Sequence, residues 1–486
     1  MTNDPIERAI GRFGWYQTWI LILITLGRFP AEFQLTNVVF ILPNVEYTCL
    51  DDPSNNATNI CPCENPVYDT STIVDSVTTT WNLICERGTL ASFAQSVLQA
   101  GILAGSLIYG HISDRHGRKT AVVLALFLEA VSVIVSAVVP QFWMFIASRF
   151  FIGVSLGGTM LCCYVHLIEL SGTSFVPYII GLIEVSYMSG YLFLPMIAYF
   201  VREWRHLQLI TSIPWIITIS FYWLLPESPR WLITVGQNEE AIRVLTFIAK
   251  KNKLPTENIA SIVNKIDRDS INETQYRGSY LDLFKTPKIR LYTIITAVVW
   301  FCTSHTFFGV NQYIGRLPGD LYLNVILSAA ALAPGLIICV IGALYFKRKA
   351  AVIFSFAVTG LALLVFIFIP SDMTGANLTL AIVSQISAYN AFVQVYLNCS
   401  EVFPTVIRNS ALGFASVFAR VGGFIAPFVV NIGIEWVSIL VFSSLALVAA
   451  ILSCFLPETK NIVLLNTISQ REEKKSKSIE IEPEFD

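Results

Sequence analysis

Charge is scarce in this chain of 486 residues. Asp, Glu, Lys and Arg together make up only 14% of it, where an ordinary soluble protein carries about 25%. That scarcity excludes a typical soluble domain, and a hydrophobic share of 54% turns the reading toward lipid. The dipeptide Gly-Lys is missing altogether. A phosphate-cradling Walker loop needs it, so ATP hydrolysis is excluded as the power source. No His-Glu-x-x-His string and no paired Cys-x-x-Cys occurs. No enzymatic activity, cofactor, metal or nucleic-acid partner is expected. Residues 43–86 contain no Lys or Arg.

Long apolar runs are abundant. A membrane span needs roughly 20 mostly apolar residues. Twelve such runs stand at about 16–42, 90–112, 120–139, 142–167, 177–200, 206–225, 291–312, 321–345, 350–369, 377–398, 410–431 and 434–456. The residues before Trp15 are polar and charged, so no cleavable signal peptide is expected. The fold class is therefore an all-α polytopic membrane protein of twelve spans.

Basic residues orient the spans. With both termini placed inside, only Arg87, Arg202, Arg205 and Arg316 of the 32 Lys and Arg fall outside, and only Arg28, Arg149 and Arg420 fall within spans. Positive-inside counting thus places both termini in the cytosol. The layout is a cytosolic N-terminus (1–15), a six-helix half (16–225) with outer loop 43–86, a cytosolic linker (226–290), a second six-helix half (291–456) and a cytosolic tail (457–486). The outer loop holds Cys49, Cys61, Cys63 and Cys85 and the sequon Asn56-Ala57-Thr58. An even cysteine set beside a sequon predicts a disulfide-bonded, glycosylated loop in an oxidising space, with three connectivities open. A second sequon, Asn272-Glu273-Thr274, falls on the inside. The other six cysteines are read as packing residues of the spans. In the linker, Ala241, Val244, Leu245 and Ile248 share one face, which predicts an amphipathic helix.

The two halves repeat. At an offset of 232, Glu169 meets Glu401, Gly181 meets Gly413, Gly190 meets Gly422 and Pro195 meets Pro427; at 231, Pro226-Glu227 meets Pro457-Glu458. Parallel repeats of this kind place substrate near the midplane, between the halves. The charged turn Gly110-His-Ile-Ser-Asp114-Arg115-His-Gly117-Arg118-Lys119 joins spans two and three. Gly117 permits a tight turn, Gly110 a close helix approach, and Asp114 a helix N-cap. The string is either a positive-inside turn or a latch between the halves.

That string resembles the signature loop of the major facilitator superfamily. Within it, the chain is similar to the organic cation, organic anion and carnitine transporters, solute carrier family 22. The residues carrying the resemblance are FGWYQ at 13–17, TWNLICERG at 80–88, WRHLQL at 204–209, PESPRWL at 226–232, SEVFPTVIRNSALG at 400–413, ARVGGFIAPF at 419–428 and PETK. The resemblance implies an alternating-access fold, a plasma-membrane location and polyspecific transport of small organic ions. The candidate gating residues are Gly110, Asp114, Arg115, Gly117, Arg118, Arg149, Glu169, Glu401 and Arg408. Three departures stand out. SGTSFVPY after span four lacks Arg, and LYFKRKA replaces the second-half copy of the charged turn; both thin the cytosolic charge network. Leu332-Ala333 replaces the acid that cation transporters carry before Pro334-Gly335.

An ionised group at membrane depth costs roughly 2.5–3.5 kcal/mol or more, so each needs a partner or a purpose. Arg28 and Glu32, one helical turn apart, either neutralise one another or belong to a substrate or coupling-ion site. Glu129 reads as a structural hydrogen bonder. Glu184 lies in a cavity-lining span and is a candidate for substrate contact. Arg149 opens the small-residue spacing Arg149-x3-Gly153-x3-Gly157 and is structural or gating. Trp300, Phe307 and Phe308 match positions where the family places aromatic residues against substrate; otherwise they pack. His305 reads as a hydrogen-bonded span residue. Arg420 has Met188 as its first-half counterpart, so its charge belongs to one half only. The family's cation transporters place an acid at this position, and its anion and carnitine transporters an Arg. Arg420 either pairs with Glu184 or Glu32, or faces the substrate.

The expected function is secondary active or facilitative transport of organic anions or carboxylate-bearing zwitterions. The alternatives are an organic cation transporter and a transporter-like receptor without flux. Expected partners are small organic ions and the lipid bilayer. Glycosidase digestion should shift the gel mobility of the wild type made in eukaryotic cells but not that of Asn56→Gln. An unshifted wild type removes the outer assignment of 43–86.

Overall fold

The computed structural model describes residues 4–50, 58–272, 280–370 and 372–460. Asn56 lies outside the described residues. A short helix, α1 (Pro5–Ile10), is capped by Asp4, whose carboxylate accepts from Ile6 N. The expected first span is not one helix. It breaks into α2 (Trp15–Gly27), α3 (Phe29–Thr36) and α4 (Val38–Ile41). Pro30 has no N–H to donate and its ring clashes with the preceding turn, so the chain bends at Arg28.

The outer loop follows, with β1 (Tyr47–Cys49) antiparallel to β2 (Pro66–Tyr68). Its disulfides are Cys49–Cys63 and Cys61–Cys85, one of the three connectivities left open by the sequence. Helix α5 (Val77–Thr80) leads to Trp81, whose ring packs 5.5 Å from that of Trp204. Trp204 Nε1 donates to Thr80 Oγ1 at 2.9 Å, and Arg205 donates to the carbonyls of Ala137 and Val139. The two motifs TWNLIC and WRHLQL thus anchor the loop on the bundle.

The remaining first-half spans are α6 (Gly88–His116), α7 (Arg118–Val138), α8 (Phe142–Glu169), α9 (Val176–Phe200), and a sixth made of α10 (Trp204–Ile210), a 3-10 stretch Ile213–Ser220 and α11 (Phe221–Leu224). The linker carries α12 (Pro229–Thr234), α13 (Asn238–Lys251) and α14 (Ile259–Asn272). Ala241, Leu245 and Ile248 of α13 are buried, as an amphipathic helix requires. The second half is α15 (Pro287–Ile314), α16 (Leu321–Tyr345), α17 (Arg348–Phe366), α18 (Thr374–Val402), α19 (Thr405–Val430) and α20 (Glu435–Ser453). Among the described residues, eleven helical stretches are long and apolar enough to cross a membrane. The broken α2–α4 segment supplies the twelfth. Of the six unpaired cysteines, five are buried packing residues; Cys454 is exposed instead.

Glycines set the tightest contact. A Cβ on Gly101 or Gly105 of α6 would strike the backbone of α8 at Phe150 and Val154, and one on Gly153 or Gly157 would strike α6 at Leu98 and Ile102. Without side chains the two backbones touch directly. The string Gly153-Val154-Ser155-Leu156-Gly157 has the spelling of a nucleophile elbow. It runs inside α8 without the strand-to-helix turn that such a nucleophile needs.

The apolar core divides unevenly. At the end bearing the disulfide loop, one cluster joins both halves, with Phe40, Tyr191 and Leu194 beside Phe307, Tyr322 and Phe442. At the end bearing the termini, two separate clusters form. One holds first-half and linker residues such as Ile24 and Leu245, the other second-half residues such as Phe356 and Phe403. The halves thus share one apolar cluster at the loop end and have separate clusters at the terminal end. Gly105→Leu should overpack the α6–α8 contact and cost about 1–3 kcal/mol or more. A melting midpoint in detergent equal to wild type would contradict this packing.

Candidate functional site

Two sets of charged residues sit at the terminal end, one per half. Gly110 through His116 are not a link but the last turns of α6; only Gly117, with φ of 98°, breaks the helix. Asp114 is therefore not an N-cap. It lies on the final turn of α6 and pairs with Arg118 at 2.6 Å. A Cβ on Gly110 would make only ordinary contact with Leu161, so the close approach lies deeper in α6, at Gly101 and Gly105. Arg118 also holds Glu169, its Nη2 at 3.0 Å and its Nε at 3.1 Å from the carboxylate. Arg115 is exposed.

The N-terminus of α7 is capped by a distant residue. Glu227 Oε1 accepts from Arg118 N at 2.8 Å, Lys119 N at 3.0 Å and Ser228 N at 2.8 Å. A carboxylate there meets unsatisfied N–H groups and the positive end of the helix dipole. Burial raises the Glu227 carboxyl, and those N–H groups pull the other way.

The second half repeats the device. Glu458 accepts from Arg348 N at 2.9 Å and Lys349 N at 3.2 Å at the start of α17, and Arg348 Nε lies 3.4 Å from Glu401. The charge network is therefore not thinned here as the string LYFKRKA suggests: Arg348 takes the place of Arg118. Arg408, half-buried on α19, leaves Nε and Nη2 without an acceptor. In place of basic residues after span four, Glu7 of α1 accepts from Ser174 N, Ser174 Oγ and Thr173 Oγ1. Among the described residues, the hydrogen bonds and ion pairs of Asp114, Arg118 and Glu169 all stay within the first half.

The hydrogen bonds that cross between the halves lie at the loop end and midplane. Ser92 and Ser96 of α6 donate to the carbonyls of Pro427 and Phe424 on α19 at 3.1 and 2.6 Å. Tyr322 Oη donates to Thr72 O at 2.9 Å. Farther in, Tyr389 of α18 donates to Glu184 of α9 at 3.1 Å. Rings bridge the same gap: Phe307 lies 6.2 Å from Tyr187 and 6.3 Å from Tyr389, and adjoins Phe308 and Phe392. Tyr187 and Tyr389 stack at 6.4 Å. Trp300 is elsewhere. It packs in the second-half core against Tyr396 at 5.6 Å, two turns from Phe307 toward the terminal end.

Arg420 shares a face of α19 with Phe424, Pro427 and Asn431, at i+4, i+7 and i+11. That face meets α6. One turn from Arg420, Gly423 lies against Gln99 of α6 and Phe308 of α15. Arg420 is partly exposed and, among the described residues, has no ion pair and no hydrogen bond. Glu32 is held by Arg28 at 2.8 Å, and Glu184 by Tyr389. Gln99 Oε1 is buried without a donor. The site therefore offers a free guanidinium, an amide and a wall of rings.

The other intramembrane groups are placed differently. Arg149 is fully buried and donates to Gln34 at 3.2 Å and Gln95 at 2.5 Å. Glu129 accepts from Thr159 Oγ1 at 2.7 Å. His305 Nδ1 lies 3.0 Å from Gly422 O. Sequence reasoning missed Gln99, Tyr187, Tyr389 and Phe392, which carry no motif. It noted Glu227 and Glu458 as a repeated pair without seeing that they cap helices.

A family model described as "Sugar (and other) transporter" matches residues 66–468. The chain is 32% identical to solute carrier family 22 member 1 of Bos taurus over 98% of this chain and 94% of that protein. It is 28% identical to the organic cation transporter protein of Drosophila melanogaster, over 97% and 95%. The structure titled "Inward open conformation of the xylose transporter XylE from E. coli" aligns with a TM-score of 0.68 at 16% identity, covering 92% of this chain and 98% of that one.

Asp114 is 77% exposed while Glu169 is 17% exposed. An exposed pair contributes about 0–1 kcal/mol, and a half-buried bidentate one about 1.5–3 kcal/mol. Glu169→Gln should therefore lower the melting midpoint clearly more than Asp114→Asn. Equal shifts would show that Glu169 does not hold α7.

Proposed function

The chain belongs to solute carrier family 22 of the sugar (and other) transporters and is a multi-pass membrane protein. On that premise we propose that it carries small organic anions, or zwitterions bearing a carboxylate, across the plasma membrane by alternating access, with both termini in the cytosol. The observation that supports this is Arg420. A guanidinium at membrane depth, without an acid of its own, offers two parallel donors to a carboxylate or sulfonate entering from water. Phe308 and Phe307 supply faces on which a flat anion stacks. Leu332 is fully buried among apolar side chains where a cation site would carry an acid.

A second reading, an organic cation transporter, draws on the relatives' names and on the ring faces, which also attract cations. Purified chain in lipid vesicles, offered labelled benzenesulfonate, carnitine, tetraethylammonium and glucose side by side, separates the two. Saturable entry also separates a transporter from a receptor without flux. Arg420→Ala should lower uptake of the sulfonate roughly tenfold to a hundredfold, as expected for losing a charge-assisted pair. Arg420→Lys keeps the charge without the fork and should restore it only in part. Robust tetraethylammonium uptake that Arg420→Ala leaves intact would replace the anion reading with the cation one.

A further inference from the structure

The hydrogen bonds between α6 and α19 form a ladder with a register. Ser92 Oγ donates to Pro427 O, and Ser96 Oγ donates to Phe424 O. A step of four residues along α6 thus matches a step of three back along α19, as for helices that run in opposite directions. The next rung toward the terminal end brings Gln99 opposite Arg420. Gly423 fixes the same meeting point. A Cβ there would stand 3.2 Å from Gln99 Cδ, 3.3 Å from its Oε1 and 3.2 Å from Phe308 Cδ2 of α15. Glycine at 423 therefore lets three helices bring an amide, a guanidinium and a ring to one place.

Gln99 is the rung that does not close. It is only 2% exposed, yet its side chain makes no hydrogen bond among the described residues. A buried polar group left unmatched costs about 1–3 kcal/mol, a cost that the two serines avoid. Oε1 lies on the Gly423 side and is sealed from water. That leaves Nε2, with two hydrogens to donate, as the end that a ligand can meet. Arg420 adds donors only. Helices α15 and α19 contain no Asp or Glu, and α6 contains only Asp114, at its far end. No carboxylate of these three helices competes for the two donors.

We propose that Gln99 is the specificity-determining residue of the anion site. It donates from the first half to the same acidic group that Arg420 grips from the second, and so selects tetrahedral oxyanions, aryl sulfonates above all, over planar carboxylates. The guanidinium fork takes two oxygens in one plane. A carboxylate has no third oxygen. A sulfonate has one, and it projects out of the plane of the fork toward the opposite helix, where Gln99 stands. Phe308, against the same glycine, supplies a face for the attached ring. The inference rests on the anion reading of Arg420 and adds which acidic group that site prefers.

The test compares benzenesulfonate with benzoate, which share a ring and a charge. Both are offered as labelled solutes to the full chain in lipid vesicles at neutral pH, and entry into protein-free vesicles is subtracted. The wild type should favour the sulfonate roughly tenfold in kcat/KM, the factor expected for one added charge-assisted hydrogen bond. Gln99→Met, close in size but apolar, should bring the two solutes to within about twofold by raising KM for the sulfonate alone. Gln99→Asn keeps the amide on a shorter arm and should retain part of the preference. Gln99→Glu should lose both solutes, because the new carboxylate pairs with Arg420. The ratio of two solutes in one preparation does not depend on how much of the protein is folded. Gly423→Ala leaves residue 99 unchanged, displaces Gln99 and Phe308 from the α19 backbone, and should also lower the ratio. A wild-type ratio near one, with both solutes lost in Arg420→Ala, overturns the role of Gln99 and leaves Arg420 as the anion residue. A preference that survives Gln99→Met overturns it as well. If the wild type carries neither solute, or Arg420→Ala carries both unchanged, the anion reading fails and this inference fails with it.

Discussion

Three arginines lie at membrane depth, and the cost of burying a charge there organises much of the bundle. Arg28 meets it with an acid one turn away, at the point where Pro30 breaks the first span. Arg149 meets it with the carbonyl oxygens of Gln34 and Gln95, and so ties α8 to α3 and α6. Arg420 has neither kind of partner and borders the gap between the halves. The first two are internal fastenings of one half. The third is half-buried and has no ion pair or hydrogen bond among the described residues.

The duplication explains why the halves are built alike and fastened alike. Glu227 and Glu458 cap α7 and α17, and Arg118 with Glu169 corresponds to Arg348 with Glu401. Gly190 receives Glu32 of the first span, and its counterpart Gly422 receives the backbone of α15, the first span of the second half. Each half is thus fastened at its terminal end by its own acids and bases. Those charges do not hold the halves together in this state. The shared apolar cluster and the α6–α19 hydrogen bonds at the loop end do that. A pair of bodies joined at one end and separate at the other is the geometry from which rocking exposes a midplane site to alternate sides.

The charge inventory between the halves is divided as well. Arg420 sits on the second half with amide and aromatic neighbours, while the excess of acid sits on the first half around Arg28. The Tyr389–Glu184 hydrogen bond joins the acidic group to the opposite half.

Much of this was legible in the residues. Apolar length counts spans, because every buried backbone group must be satisfied within a helix. The repeat showed as matching Gly, Pro and Glu, since these hold positions that other residues resist. Arg420 stood out because an unmatched charge in an apolar run is rare. Periodicity, however, cannot see across helices. That span one breaks at Arg28 and that Asp114 ends a helix rather than starting one follows from local bending and from where Gly117 turns the chain. The disulfide pairing, the helix-capping role of Glu227 from 109 residues away, and the meeting of Tyr389 with Glu184 across 205 residues were settled only by packing. Such contacts depend on how two six-helix bodies dock, and no spacing along one chain encodes that distance.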